Sequence, residues 1–253
     1  MNETELAMLQ QPLRTLPYRP LFATVSGAHL YGFPSPDSDV DLRGAYILPV
    51  ATVLGLDKPD ETVTDTFEHA GREIDLVAHD VKKFIALMLN KNGYVLEQLY
   101  SPLIVQGGPG FAELRALGQG CITCHVYHHY QGFSRKQIER YECESPRRVK
   151  TLLYVYRVLL TGIHLLETGR VEANLPRLNE TFRLPFIPDL IAQKVREKAV
   201  LTETDRAVHE AASPRLQARL ETAFQASSLP EMPLNQAALN DFLVRIRLGT
   251  IDG

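Results

Sequence analysis

Thr24-Val-Ser-Gly-Ala-His-Leu-Tyr-Gly-Phe-Pro-Ser-Pro-Asp-Ser-Asp-Val-Asp-Leu-Arg-Gly44 holds a glycine turn, a proline-bearing connection and two carboxylates one residue apart on a predicted strand. Successive strand side chains point to opposite faces, so Asp39 and Asp41 share one face while Val40 and Leu42 enter the core on the other. Two aspartates held that close repel each other unless a cation sits between them. Magnesium and manganese take such hard oxygen ligands, commonly one or two carboxylates plus phosphate oxygens of a nucleotide. Gly27 follows the apolar run Leu21-Phe-Ala-Thr-Val25. A glycine there lets backbone N–H groups approach a polyphosphate, above all if residues 28 to 32 open a short helix.

Outward from this stretch, Arg19 to Val25 reads as a first strand and Val40 to Leu48 as a second, stopped by Pro49. The connection Phe33 to Ser38 is stiffened by two prolines. Glu61 to Phe67 and Arg72 to Ala78 form a predicted hairpin around His69-Ala-Gly71. On its second strand Ile74 and Leu76 face one way, and Glu73, Asp75 and Val77 the other. From Asp80 the period becomes helical, with Val81, Phe84, Ile85, Met88 and Leu89 on one stripe, followed by a helix over Tyr94 to Tyr100. Past Gly107-Gly-Pro-Gly110 everything reads as helix: 110–117, 121–141, 146–169, 188–199, 203–225 and 235–247. The fold class is therefore α+β, a mixed-sheet core over residues 1–108 followed by an all-helical domain over residues 109–253.

The spacing of glycine, Asp-x-Asp and a third acidic residue on a later strand resembles the DNA polymerase β-like nucleotidyltransferase superfamily. Gly27, His29, Tyr31, Gly32, Pro36 to Asp41, Arg43 and Gly44 are similar to its branch associated with RNA repair. That resemblance implies transfer of a nucleoside monophosphate from an NTP to an acceptor hydroxyl, with Mg2+ or Mn2+ as cofactor and pyrophosphate released. Asp39 and Asp41 would hold the metal ions, Asp75 would complete the metal site and accept the hydroxyl proton, and the Gly27 turn would hold the triphosphate. His29 and Arg43 would contact nucleotide, Arg43 serving equally as a structural partner for Asp41. Cations on the helical side, Lys150 and Arg157, would meet the triphosphate or a nucleic-acid backbone across the cleft between the domains. The implied acceptor is an RNA or DNA 3′ end.

One position departs from the pattern. The superfamily's phosphate-binding serine after the glycine is Ala28 here. A hydrogen bond to a charged group contributes about 1.5–3 kcal/mol, so its loss weakens nucleotide positioning without abolishing it. Two alternatives to nucleic-acid transfer stay open: transfer to a protein or small molecule, and a nucleotide- or RNA-binding protein without turnover.

Composition sets the remaining bounds. With 253 residues, 45 % of them apolar, the chain supports an ordinary core. A net charge of −3 gives no bulk basic character, although cations outnumber acids seven to three between residues 126 and 160. The N-terminus Met1-Asn-Glu-Thr-Glu5 is acidic where a signal peptide is basic, and no apolar run approaches the ~20 residues needed to span a bilayer, so the expected location is the cytoplasm without a membrane partner. Cys121-Ile-Thr-Cys124-His125 spells a haem-attachment pattern, which needs export. On one continuous helix Cys121, Cys124, His125 and His128 would offer zinc ligands; otherwise they are reduced thiols beside surface histidines.

Overall fold

A computed structural model describes residues 1–195 and 203–250. Its strands are β1 (Arg19–Val25), β2 (Val40–Ile47), β3 (Thr62–His69), β4 (Arg72–Asp80) and β5 (Ile104–Gln106). Its helices in chain order are α1 (Glu3–Met8), α2 (Gln10–Leu13), α3 (Gly27–Tyr31), α4 (Val50–Leu54), α5 (Val81–Leu89), α6 (Gly93–Tyr100), α7 (Pro109–Gly118), α8 (Val126–Cys143), α9 (Val149–Thr168), α10 (Leu175–Phe182), α11 (Ile187–Val195), α12 (Glu203–Gln225) and α13 (Gln236–Arg247). The expected helix over 188–199 runs partly outside the described residues. The chain is α+β, as its alternating and helical periods require.

Two compact units divide it. The first takes Met1–Leu30, Asp39–Cys121 and the segment from Met232 onward; the second takes Tyr31–Ser38 and the described residues of 122–231. The sheet unit thus draws α7 and α13 from beyond residue 108, and the helical unit takes the proline-bearing loop from before it.

In the first unit the five strands lie in the order β3-β4-β2-β1-β5. β2 runs parallel to β4, and every other neighbouring pair is antiparallel. One face carries Ala23, Val25, Val40, Leu42, Ile74, Leu76 and Val105, packed against Leu9 and Leu13. The other face carries Phe22, edge-on to Phe84 at 5.2 Å and stacked on Phe111 at 4.6 Å between ring centroids. Gly44 explains itself here: a Cβ would meet the Phe22 carbonyl oxygen at 2.1 Å where β1 bulges against β2. The capping box at α1 has both bonds at 2.9 Å, Asn2 to the Glu5 amide and Glu5 back to the Asn2 amide.

In the second unit α9 is the central element, packed by α8, α10, α11 and α12. By length and composition α9 could cross a membrane, contrary to the expectation that no run is long and apolar enough; 83 % of its most apolar window is buried within the protein. Arg157, expected to meet phosphates from the helical side, is fully buried with it, as is Thr161. Lys150 stays exposed near the start of α9 and Tyr154 and His164 are half-buried, so the helices packed on α9 close over its middle.

Candidate active site

The alternation that sends Val40, Leu42, Ile74 and Leu76 inward turns Asp41, Arg43 and Asp75 to the opposite face. Parallel pairing of β2 with β4 sets Asp41 directly beside Asp75. Asp39 is the residue before β2 and is exposed, so it stands outside the strand where the sequence placed it.

Arg43 joins the two strand carboxylates. One terminal nitrogen, Nη2, donates to Asp41 Oδ1 at 2.5 Å and to Asp75 Oδ2 at 2.8 Å. The other, Nη1, donates to the carbonyls of Leu42 at 3.1 Å and Asp75 at 2.5 Å, and Nε donates to the Tyr94 hydroxyl at 3.0 Å. Burial alone would pull the guanidinium pKa down, but Tyr94, Asp41 and Asp75 together raise it. The side chain is therefore a permanent cation at 6 % exposure. Its role as partner of Asp41, one of two expected, is the one the geometry displays. Tyr94 was not found from sequence; its amide is capped by Asn92 at 3.0 Å, which fixes the start of α6 beneath the site.

Gly27 has φ +59, a left-handed conformation that favours glycine. A Cβ there would lie 1.7 Å from Asp41 Oδ2. The glycine thus makes room for the Asp41 carboxylate, a reason the sequence did not disclose beside the phosphate one. The Ser26 amide donates to the Asp41 carbonyl at 2.8 Å, closing the turn onto β2. Ala28 is buried, and His29 is half-buried on α3. Ser26, the nearest hydroxyl, is itself fully buried, with its Oγ lacking a hydrogen-bond partner among the described residues.

Among the described residues no three His, Cys, Asp or Glu side chains are placed to hold a metal ion. Three aspartates are the right donor chemistry for a hard cation, and magnesium needs only one or two of them when triphosphate oxygens complete its shell. The residues therefore fit one cation arriving with nucleotide and do not fit a ready-made pair, because Arg43 already spans Asp41 and Asp75. The zinc alternative does not fit either. Residues 121–125 are not a continuous helix: Cys121 ends a short 3-10 turn and α8 begins at Val126. Burial pushes the Cys121 thiol up to about 11, and His125 and His128 stack on each other at 5.7 Å and against Phe224.

In the helical unit Lys150 is exposed and lines a cavity of about 240 Å³ with Arg140, Arg148, Gln137, Thr151 and Tyr154. Arg140 and Arg148 both approach Glu144, Arg135 pairs with Glu139 and Arg147 with Glu210, while Lys150 has no ion pair among the described residues. Arg157 corrects the sequence reading. At 0 % exposure it presents nothing to a ligand, and its guanidinium lies 4.0 Å from the Tyr31 ring centroid. Sequence also missed buried Lys194, which donates to Ser35 Oγ at 2.9 Å and Ser38 Oγ at 3.3 Å and so ties down the proline-bearing loop.

Arg157 also marks its neighbour. Burial first, and the Arg157 charge second, lower the pKa of His129 to about 4. The ring stays neutral in the fold, whereas the unfolded chain takes up a proton below its ordinary value of 6.5. Stability is full above pH 6.5 and falls as pH drops toward 4. Denaturant titrations are expected to show a loss on the order of 2 kcal/mol over that window, absent in His129→Gln.

A mixed sheet with aspartates on adjoining strands beside a glycine turn defines the class, a polymerase β-like nucleotidyltransferase. Residues 1–245 match the RNA repair pathway DNA polymerase beta family, RlaP, and the chain belongs to that family. It is 30 % identical over 187 residues to the uncharacterized protein MJ0002 of Methanocaldococcus jannaschii, covering 72 % of this chain and 75 % of that one. It is 26 % identical over 143 residues to the uncharacterized protein YcgL of Bacillus subtilis, covering 55 % of this chain and 54 % of that one. A nucleotidyltransferase-like protein from Exiguobacterium sibiricum aligns with 99 % of this chain and 81 % of its own at 13 % identity and a TM-score of 0.35.

Proposed function

We propose that this protein transfers a nucleoside monophosphate from an NTP to a nucleic-acid 3′ hydroxyl in RNA repair. The observation that carries the reading is the side-by-side placement of Asp41 and Asp75 on β2 and β4, directly against the Gly27 turn. In this reaction the acceptor oxygen bonds to the α-phosphorus, the bond from that phosphorus to the bridging oxygen breaks, and pyrophosphate leaves with the bond's electron pair. The Asp75 carboxylate, one-third exposed, takes the hydroxyl proton. Asp41 pairs with Arg43 through Oδ1 and holds its other carboxylate oxygen toward the Gly27 turn. A divalent cation held by Asp41 and Asp75 with the triphosphate, and by Asp39 at the exposed edge, would neutralise charge developing on the phosphate oxygens. The Gly27 turn supplies backbone N–H groups for the triphosphate, with His29 beside it, and the Ala28 position contributes no hydroxyl. In the helical unit Lys150, with Arg140 and Arg148 around its cavity, offers cations to a nucleic-acid backbone.

The test offers each α-labelled NTP with Mg2+ or Mn2+ to 3′-hydroxyl RNA, single-stranded DNA and bulk protein. Label on a nucleic-acid 3′ end, lost in Asp41→Asn/Asp75→Asn, is the expected result. Label on protein would redirect the reading to that acceptor. Nucleotide binding with no label anywhere, even after Ala28→Ser, would make this a binding protein without turnover.

A further inference from the structure

Arg43 has five guanidinium N–H bonds, and five acceptors receive them: the Tyr94 hydroxyl, the Leu42 and Asp75 carbonyls, Asp41 Oδ1 and Asp75 Oδ2. Two of those acceptors are backbone groups of β2 and β4, so the guanidinium is tied to the sheet as well as to the carboxylates. A side chain in this state cannot turn toward solvent without giving up all five bonds, two of them to strand carbonyls. It is fixed, and its charge is fixed with it. Each of Asp41 and Asp75 gives one carboxylate oxygen to the same nitrogen, so the space between them is filled by a cation that belongs to the chain.

We infer that Arg43 is a resident cation of the carboxylate site, so that the nucleotide-bound chain takes up one divalent ion where open space between Asp41 and Asp75 would take two. This rests on the reading that these aspartates meet a metal-bound nucleotide. Arg43 acts as a positioning residue: it holds the two carboxylates in register and sets how many ions they accept.

The experiment counts Mn2+ by electron paramagnetic resonance in the full chain saturated with a non-hydrolysable NTP analogue. Wild type is expected to bind one Mn2+ per chain with no spin coupling between ions. Arg43→Ala is expected to bind two, or to bind the first at least about tenfold more tightly, because a like charge has been removed. Arg43→Lys, which keeps the charge, is expected to remain at one. Two coupled Mn2+ ions in wild type overturn the inference, as does an unchanged count and affinity in Arg43→Ala. Should the alanine variant fail to fold, the wild-type count decides alone. One bound Mn2+ without label transfer leaves the inference standing and removes only the catalytic reading; no bound Mn2+ removes both.

Discussion

Gly27→Ala is expected to leave a folded chain whose nucleotidyl transfer is slower by about a hundredfold. Two effects combine at this position. At φ +59 an alanine costs roughly 1–2 kcal/mol of backbone strain. The larger effect is steric, since the new Cβ would lie 1.7 Å from Asp41 Oδ2. Asp41 cannot yield freely, because its other oxygen is held by the buried Arg43 guanidinium at 2.5 Å. Relief therefore moves the carboxylate, the turn or both, and a displacement of about 1 Å in a positioned group is enough for the expected rate loss. Gly71→Ala separates the two effects: Gly71 has φ +74 with nothing within 4 Å of an added Cβ. It is expected to lose a comparable amount of stability and no activity. Equal transfer rates in the two variants would show that Gly27 does not position Asp41.

Asp80→Ala is expected to lower stability by about 3–5 kcal/mol. Asp80 is 1 % exposed and serves three partners from the end of β4. Oδ1 caps α5 through the Lys82 amide at 3.0 Å and accepts from Arg247 Nη2 at 2.6 Å, and Oδ2 accepts from the Leu48 amide at 3.2 Å. Arg247, on α13, also donates to the Leu48 carbonyl at 2.9 Å. Removing the carboxylate leaves a nearly buried guanidinium without its counter-charge and two amides without their acceptor, which costs more than the pair itself contributes. The check is a denaturant titration of Asp80→Ala, Arg247→Met and the double variant. The double variant is expected to be clearly less damaged than the sum of the singles, because each single strands the other's charge. A loss below about 1 kcal/mol in Asp80→Ala, against the buried-pair expectation, would show that the pair does not fasten α13.

Strands β1, β2 and β4 were legible because each buries one alternating face, so the pattern of Val25, Val40, Leu42, Ile74 and Leu76 follows from the two-residue period alone. β5 was not: three residues between Pro102 and Gly107 become a strand only through pairing with β1, about eighty residues earlier in the chain. The carboxylates could be named from their order, but the contact between them could not. Asp41 meets Asp75 through the β2–β4 crossover, a non-local pairing that no spacing announces. Hence Arg43 read as a nucleotide contact or as a partner for Asp41, whereas it serves both aspartates and Tyr94. Arg157 misled for the reverse reason. A helical stripe of Lys150, Tyr154, Arg157, Thr161 and His164 predicts a wet face, yet rings from Tyr31 and Phe133 beside the guanidinium make a dry place tolerable for a cation.

The first unit is built from both sides of the second in sequence, and this gives its assembly a clock. Asp80 and Arg247 are separated by 167 positions. At a ribosomal rate of about 5–20 residues per second, Asp80 waits roughly ten to thirty seconds for its partner to be made. The second unit, whose last residue is Glu231, is fully translated before α13 exists. Synthesis therefore favours an order in which the helical unit closes first, and the sheet that carries Asp41 and Asp75 is fastened by α13 only after residues 122–231 have been made.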